Sequence, residues 1–176
     1  HQNIPKQFLT VNERPVIVYT LEAFQNHPEI DEIGVVCIEG WESVLWAYAN
    51  QFNITKLKCV MPGGKNGQDS IRNGVFELEK HHSPDDIVLI HDAIRPMVSA
   101  EIISDCIRVT QMYGNAITVI PCAEAMMQTE DGIVSTGSYP RNNLKRTQTP
   151  QGFPIGKICD LHRRALEVGI TNSVAS

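Results

Sequence analysis

The stretch Ile87-Val88-Leu89-Ile90-His91-Asp92-Ala93-Ile94-Arg95-Pro96 decides how this chain is read. Its four consecutive aliphatics predict a strand buried on both faces, as in a parallel sheet, and Pro96 closes the short turn that follows. An aspartate and an arginine delivered together to the end of such a strand suit a polyanion and a metal. They equally suit a plain Asp92–Arg95 ion pair that ties the turn, and this stretch alone leaves both readings open.

Outward from it, the same rhythm repeats. Upstream, Ile33–Ile38 and Leu57–Met61 read as strands, and Ala116–Ile120 does so downstream. Between them the apolar residues recur at helical spacing: Val16, Tyr19, Ala23 and Phe24; Trp41, Val44, Leu45, Tyr48 and Phe52; Ile71, Val75 and Leu78; Ile102, Ile103, Cys106 and Ile107. A last helix carries Ile158, Leu161, Ala165 and Leu166 after Pro154. Strands alternating with helices are the grammar of a parallel α/β sheet, in which ligands bind beyond the carboxyl ends of strands. That rule puts the turn 91–96 and the loop 62–70 on one rim.

The loop Pro62-Gly63-Gly64-Lys65-Asn66-Gly67-Gln68-Asp69-Ser70 holds three glycines and a lysine, and Asp69 or Ser70 is expected to cap the next helix. Glycines let a backbone approach a ligand closely, and a helix start offers N–H groups to an anion. The spacing matches neither of the familiar phosphate-loop patterns, so an ordinary capped turn fits as well. Farther on, Met126–Thr129 and Ile133–Thr136 flank Glu130-Asp131-Gly132 and predict a hairpin with no core of its own, whose apolar edge calls for a partner chain. The basic residues Arg141, Lys145 and Arg146 after it fit either a site or a solvated strand. Thr147–Phe153 reads as a polar connecting segment.

A chain of 176 residues is one domain's worth, and 42% hydrophobic with 20% charged residues is an ordinary globular composition. The net charge of -5 excludes a protein that coats nucleic acid, because backbone phosphates demand an excess of Lys and Arg. No window of apolar residues approaches a membrane span, and the first residues lack a signal-peptide core, so a cytoplasmic location is expected. The five cysteines include no CxxC pair and read as reduced packing residues.

Several segments together resemble the cytidylyltransferases that join CTP to a polyol phosphate, the methylerythritol-phosphate and ribitol-phosphate enzymes. They are Pro5-Lys6-Gln7-Phe8-Leu9; Gly63-Gly64 with Asp69-Ser70; Val88-Leu89-Ile90-His91-Asp92-Ala93 with Arg95-Pro96; and Thr149-Pro150-Gln151 with Phe153. The resemblance implies a single Rossmann-like nucleotidyltransferase domain over 1–176, a three-layer α/β sandwich with an inserted β-arm at about 124–147 that swaps within a homodimer. It implies that Lys6 contacts the triphosphate and that Gly63, Gly64 and Ser70 hold the nucleoside. Asp92 would serve Mg²⁺ and the nucleotide, while Arg95 and Arg141 would bind the acceptor phosphate, Arg141 from the neighbouring subunit.

Four departures from the family pattern stand out. The family's opening glycine-rich loop and its closing strand with a lysine have no counterpart in these residues. Gly67 stands where the family has an arginine, and Ala125 where a threonine helps bind methylerythritol phosphate. They leave the acceptor open between a pentitol phosphate and methylerythritol phosphate. They also keep two other readings in play, a catalytically silent dimeric nucleotide-binding relative and a nucleotidyltransferase for another sugar phosphate.

Overall fold

The computed structural model describes residues 4–170. The chain enters through a short 3-10 turn at Lys6–Phe8 and a two-residue ladder of β1 (Thr10–Val11) and β2 (Arg14–Pro15). Asn12 and Glu13 between them both adopt positive φ, as a tight two-residue hairpin loop requires. Pro15 then sets the entry to α1 (Val16–Gln25), which buries Ile17, Val18, Leu21 and Phe24.

β3 (Ile33–Cys37), α2 (Glu42–Gln51) and β4 (Leu57–Pro62) follow, and β3 and β4 pair in parallel as the alternating pattern predicts. α3 (Gly67–Glu79) leads to β5 (Ile87–Ile90), α4 (Ala100–Tyr113) and β6 (Ala116–Pro121). α4 is well signalled at both ends: Ser99 Oγ accepts from the Ile102 amide, and Gly114 closes it at φ 77°. β7 (Met126–Thr129) and β8 (Ser135–Tyr139) form an antiparallel hairpin, β8 starting two residues later than the pattern indicates.

The main departure from the sequence reading is β9. Lys145–Pro154, of which Thr147–Phe153 was expected to be a polar connecting segment, is a ten-residue strand lying between β5 and β6 and antiparallel to both, so this sheet is not the all-parallel one expected. Its Thr, Gln and Lys residues give no apolar run because backbone pairing to two neighbours, and not side-chain burial, holds most of it. α5 (Ile155–Glu167) leaves directly from its end. The four aliphatics of β5 are each half-buried, not closed on both faces as expected.

Three clusters form the core. The first joins Phe8, Ile17, Val18, Leu21, Cys37, Leu45, Ala49 and Leu57, with Trp41, Tyr48 and Ala93 packed against it. The second lies between α3 and α5 around Val75, Ile158 and Cys159; the third gathers Phe24, Ile103 and Ile107 over β5. All five cysteines are free thiols, as expected, and burial pushes those of Cys106 and Cys159 up to about 11. No helix among the described residues is long and apolar enough to cross a membrane.

Candidate active site

Pairing of β5 with β9 stops at Ile90 and Gln151, and the chain turns immediately after. The Asp92 carbonyl accepts from the Arg95 amide at 3.0 Å, and Asp92 Oδ2 accepts from Arg95 Nε at 2.5 Å. The ion pair foreseen as the plain reading therefore exists, with both side chains about half exposed. The turn is also fixed from outside. Thr20 Oγ on α1 donates to the Ala93 carbonyl at 2.8 Å, the Asp92 amide donates to Thr149 Oγ at 3.3 Å, and Arg95 Nη1 donates to Gln148 Oε1 at 2.5 Å. A turn held by α1 and by two residues of β9 is more than a local tie.

His91 begins this turn. Its Nε2 lies 3.0 Å from the Arg95 carbonyl and its ring 5.0 Å from that of Phe24. A carbonyl only accepts, so Nε2 carries the proton. Burial lowers the pKa of His91, partly offset by its bond to the Arg95 carbonyl and by Asp92. Burial thus disfavours the charged ring, and Nδ1 is buried with no partner among the described residues.

The glycine loop has a different cap from the one expected. Asn66, not Asp69 or Ser70, caps α3, its side-chain oxygen accepting from the Asp69 amide at 2.9 Å, and the helix starts at Gly67. Ser70 Oγ instead closes the loop, donating to the Asn66 carbonyl at 3.0 Å and accepting from the Gly64 amide at 2.9 Å. Gly64 is required here: a Cβ would stand 2.3 Å from that of Asp69 and 2.6 Å from its carbonyl carbon. Asp69 is held by Arg72 at 2.8 Å. At Gly67 a Cβ would meet nothing within 4 Å, so that departure removes a cation from a place with room for one.

Three of the predicted site segments share one anchor. Phe8 carries the turn of Lys6 into the first core cluster, stacking on Trp41 at 4.6 Å, and leaves Lys6 exposed. The Gly63 amide donates to the carbonyl of Cys37, a member of that cluster, at 2.9 Å. Ala93, between Asp92 and Arg95, packs against the same cluster. Lys6, Gly63–Ser70 and Asp92–Arg95 are thus tied to one body of side chains around the end of β3. Arg141 is not: it sits in a 3-10 turn at the foot of the hairpin, donating to the Ala123 carbonyl at 3.2 Å, and no hydrogen bond or ion pair among the described residues joins it to Arg95.

Sequence reasoning gave no role to Gln148, His91 or Thr149. Nothing in the pattern of an isolated strand says which side chain reaches a turn 53 residues away. Among the described residues no three His, Cys, Asp or Glu side chains converge as a metal cage.

Residues 1–175 match the family model described as IspD, 2-C-methyl-D-erythritol 4-phosphate cytidylyltransferase. A ribitol-5-phosphate cytidylyltransferase of Lacticaseibacillus paracasei is 43% identical over 95% of this chain and 71% of its own length. A 2-C-methyl-D-erythritol 4-phosphate cytidylyltransferase of Clostridium botulinum is 38% identical over 93% of this chain and 70% of its own. Among solved structures, the Thermus thermophilus 2-C-methyl-D-erythritol 4-phosphate cytidylyltransferase superposes with a TM-score of 0.74 at 28% identity, over 97% of this chain and 76% of that one. The 4-diphosphocytidyl-2C-methyl-D-erythritol synthase of Anaerococcus prevotii, at 23% identity, shares the fold with a TM-score of 0.82 over 94% of this chain and 71% of that one. The chain belongs to the IspD family of cytidylyltransferases, Rossmann-like α/β enzymes that transfer CMP from CTP to a polyol phosphate.

Proposed function

We propose that the acceptor is a pentitol phosphate, ribitol 5-phosphate in the first place, and that Lys6, Gly63, Gly64, Ser70, Asp92, Arg95 and Arg141 form the site. The observation that carries the assignment of the site is the common anchoring of the Lys6, Gly63–Ser70 and Asp92–Arg95 segments around the end of β3. For the acceptor, the support is the 43% identity to a ribitol-5-phosphate enzyme and Ala125 in place of the threonine associated with methylerythritol phosphate.

In this reading an oxygen of the polyol phosphate attacks the α-phosphorus of CTP in line and pyrophosphate leaves. Reactants and products are anions, so the protein contributes position and positive charge, and no protein nucleophile is needed. Lys6 neutralises the triphosphate. The loop closed by Ser70 offers backbone close enough for the nucleoside, Gly64 permitting the approach. Arg95 receives the acceptor phosphate, and Arg141 does so from the neighbouring subunit.

A magnesium ion fits these residues. Mg²⁺ in nucleotide sites commonly takes one or two carboxylates and otherwise phosphate oxygens and water, and Asp92 is a half-exposed carboxylate with only one oxygen bonded to Arg95. Bound there with CTP, it would supply charge neutralisation at the phosphates.

The hairpin supports a homodimer. Met126, Met127, Ile133, Val134 and Tyr139 are all exposed on it, Ile133 by 88%, and a two-stranded ribbon has no interior in which to bury them.

The test is pyrophosphate release from CTP and Mg²⁺ with a panel of polyol phosphates. Ribitol 5-phosphate is expected to give the highest kcat/KM, and Lys6→Ala to lower kcat by roughly 100-fold, the usual cost of one charge-stabilising donor. Preference for methylerythritol phosphate would overturn the acceptor, and an undiminished Lys6→Ala rate the site.

A further inference from the structure

We infer that Gln148 is a positioning residue for the acceptor phosphate, acting by holding the guanidinium of Arg95 against β9. The inference rests on the reading of Arg95 as the acceptor-phosphate ligand.

The local geometry of β9 is what brings Gln148 to this task. On β6, Ile117 pairs with Gln151 and Val119 with Thr147, so the single residue Thr118 faces the three residues Gln148, Thr149 and Pro150. This is a bulge, and bulges beside a site re-aim side chains that a regular strand would send to opposite faces. Here two consecutive residues, Gln148 and Thr149, both reach the turn after β5. The bulge is itself pinned: Thr118 Oγ donates to the Pro150 carbonyl at 2.7 Å, and the Cys106 thiol of α4 contacts the same oxygen at 3.8 Å.

The two bonds to Arg95 differ in what they fix. Asp92 lies three residues away in the same turn, so its 2.5 Å bond to Nε shapes the turn without relating it to the sheet. Gln148 sits in the bulge of β9, between the pairs that Thr147 and Gln151 make with β6, and its 2.5 Å bond to Nη1 refers the guanidinium to that sheet. It does so with a neutral acceptor, which adds no negative charge to the carboxylate that Asp92 already sets beside Arg95. Nη2 makes no bond to the protein among the described residues. A guanidinium held by Nε and Nη1 has lost most of its rotational freedom before the phosphate arrives, which lowers the ordering cost of binding.

The experiment measures KM for the polyol phosphate and for CTP separately in Gln148→Met, Arg95→Ala and the double variant. Methionine keeps the length of glutamine and removes the acceptor. Expected are a roughly tenfold rise in acceptor KM for Gln148→Met, an unchanged KM for CTP, and no further rise when Gln148→Met is added to Arg95→Ala. Gln148→Glu keeps the bond but sets a negative charge beside the phosphate, and is expected to raise acceptor KM at least as much, with the thermal midpoint unchanged. If Arg95→Ala raises acceptor KM and Gln148→Met does not, or if Gln148→Met raises both KM values together, the positioning role is wrong and the reading of Arg95 stands. If Arg95→Ala leaves acceptor KM untouched, that reading falls and the inference falls with it.

Discussion

His162 illustrates how a single side chain couples this fold to pH. It is buried on α5, edge-on to Phe76 of α3 at 6.4 Å, and burial, with Arg72 adding to it, lowers its pKa below the ordinary value near 6.5. His91, at the head of the site turn, shifts in the same direction. A depressed histidine binds fewer protons folded than unfolded. Its contribution is therefore fully present above about pH 6.5 and is lost as pH falls from there through the folded pKa. Urea midpoints measured from pH 7.5 to 5 are expected to fall with pH, and His162→Gln is expected to flatten that slope. An identical slope in the variant would show that His162 does not carry it. Gln148 belongs to this scale too: as a letter in the sequence it is one more polar residue in a strand, and its importance arises from a bulge.

Among the elements, β9 divides what could be read from what could not. The amphipathic helices declare themselves through spacing, and the positions expected to be core in α2, α3 and α4, such as Leu45, Val75 and Ile103, are buried. β9 carries no such signal, because its pairing uses backbone groups that every residue has. Its one sequence trace is Gly152, where a Cβ would come within 2.1 Å of Thr110 Oγ and 3.2 Å of Cys106 Sγ. α4 packs onto the strand through that gap. Gly152→Ala is expected to destabilise the protein by about 1–3 kcal/mol through overpacking. Denaturant unfolding measures this, and a stability within about 0.5 kcal/mol of the parent, the ordinary scatter of surface changes, would mean that α4 can move aside. The cap of α3 is a smaller case of the same kind: Asn66, Asp69 and Ser70 are all plausible caps by residue type, and only the path of the loop selects Asn66.

For the whole molecule the open surface is the hairpin. Arg146 pairs with Glu124 at 2.9 Å and Arg141 bonds the Ala123 carbonyl, so the base of the ribbon is fastened while its apolar residues stay exposed. If these residues cover a second copy, replacing Met127 and Val134 by Ser is expected to shift the protein from dimer to monomer in sedimentation, with the far-ultraviolet circular dichroism unchanged. Activity is expected to fall with the dimer, since Arg141 would then have no neighbouring site to enter. A stable dimer in the double variant would place the interface elsewhere.

The sequence by itself determined the alternation of helices and strands and the family, because apolar periodicity and short motifs in order are both properties of the linear chain. The turn Asp92–Arg95 and the glycine loop were legible as candidates for the same reason. Tertiary structure alone decided that Lys6, Gly63 and Ala93 share an anchor, that β9 lies antiparallel at the centre of its sheet, and that Gln148 grips Arg95. Those are relations between residues far apart in the chain, fixed by backbone pairing and packing that no local pattern encodes.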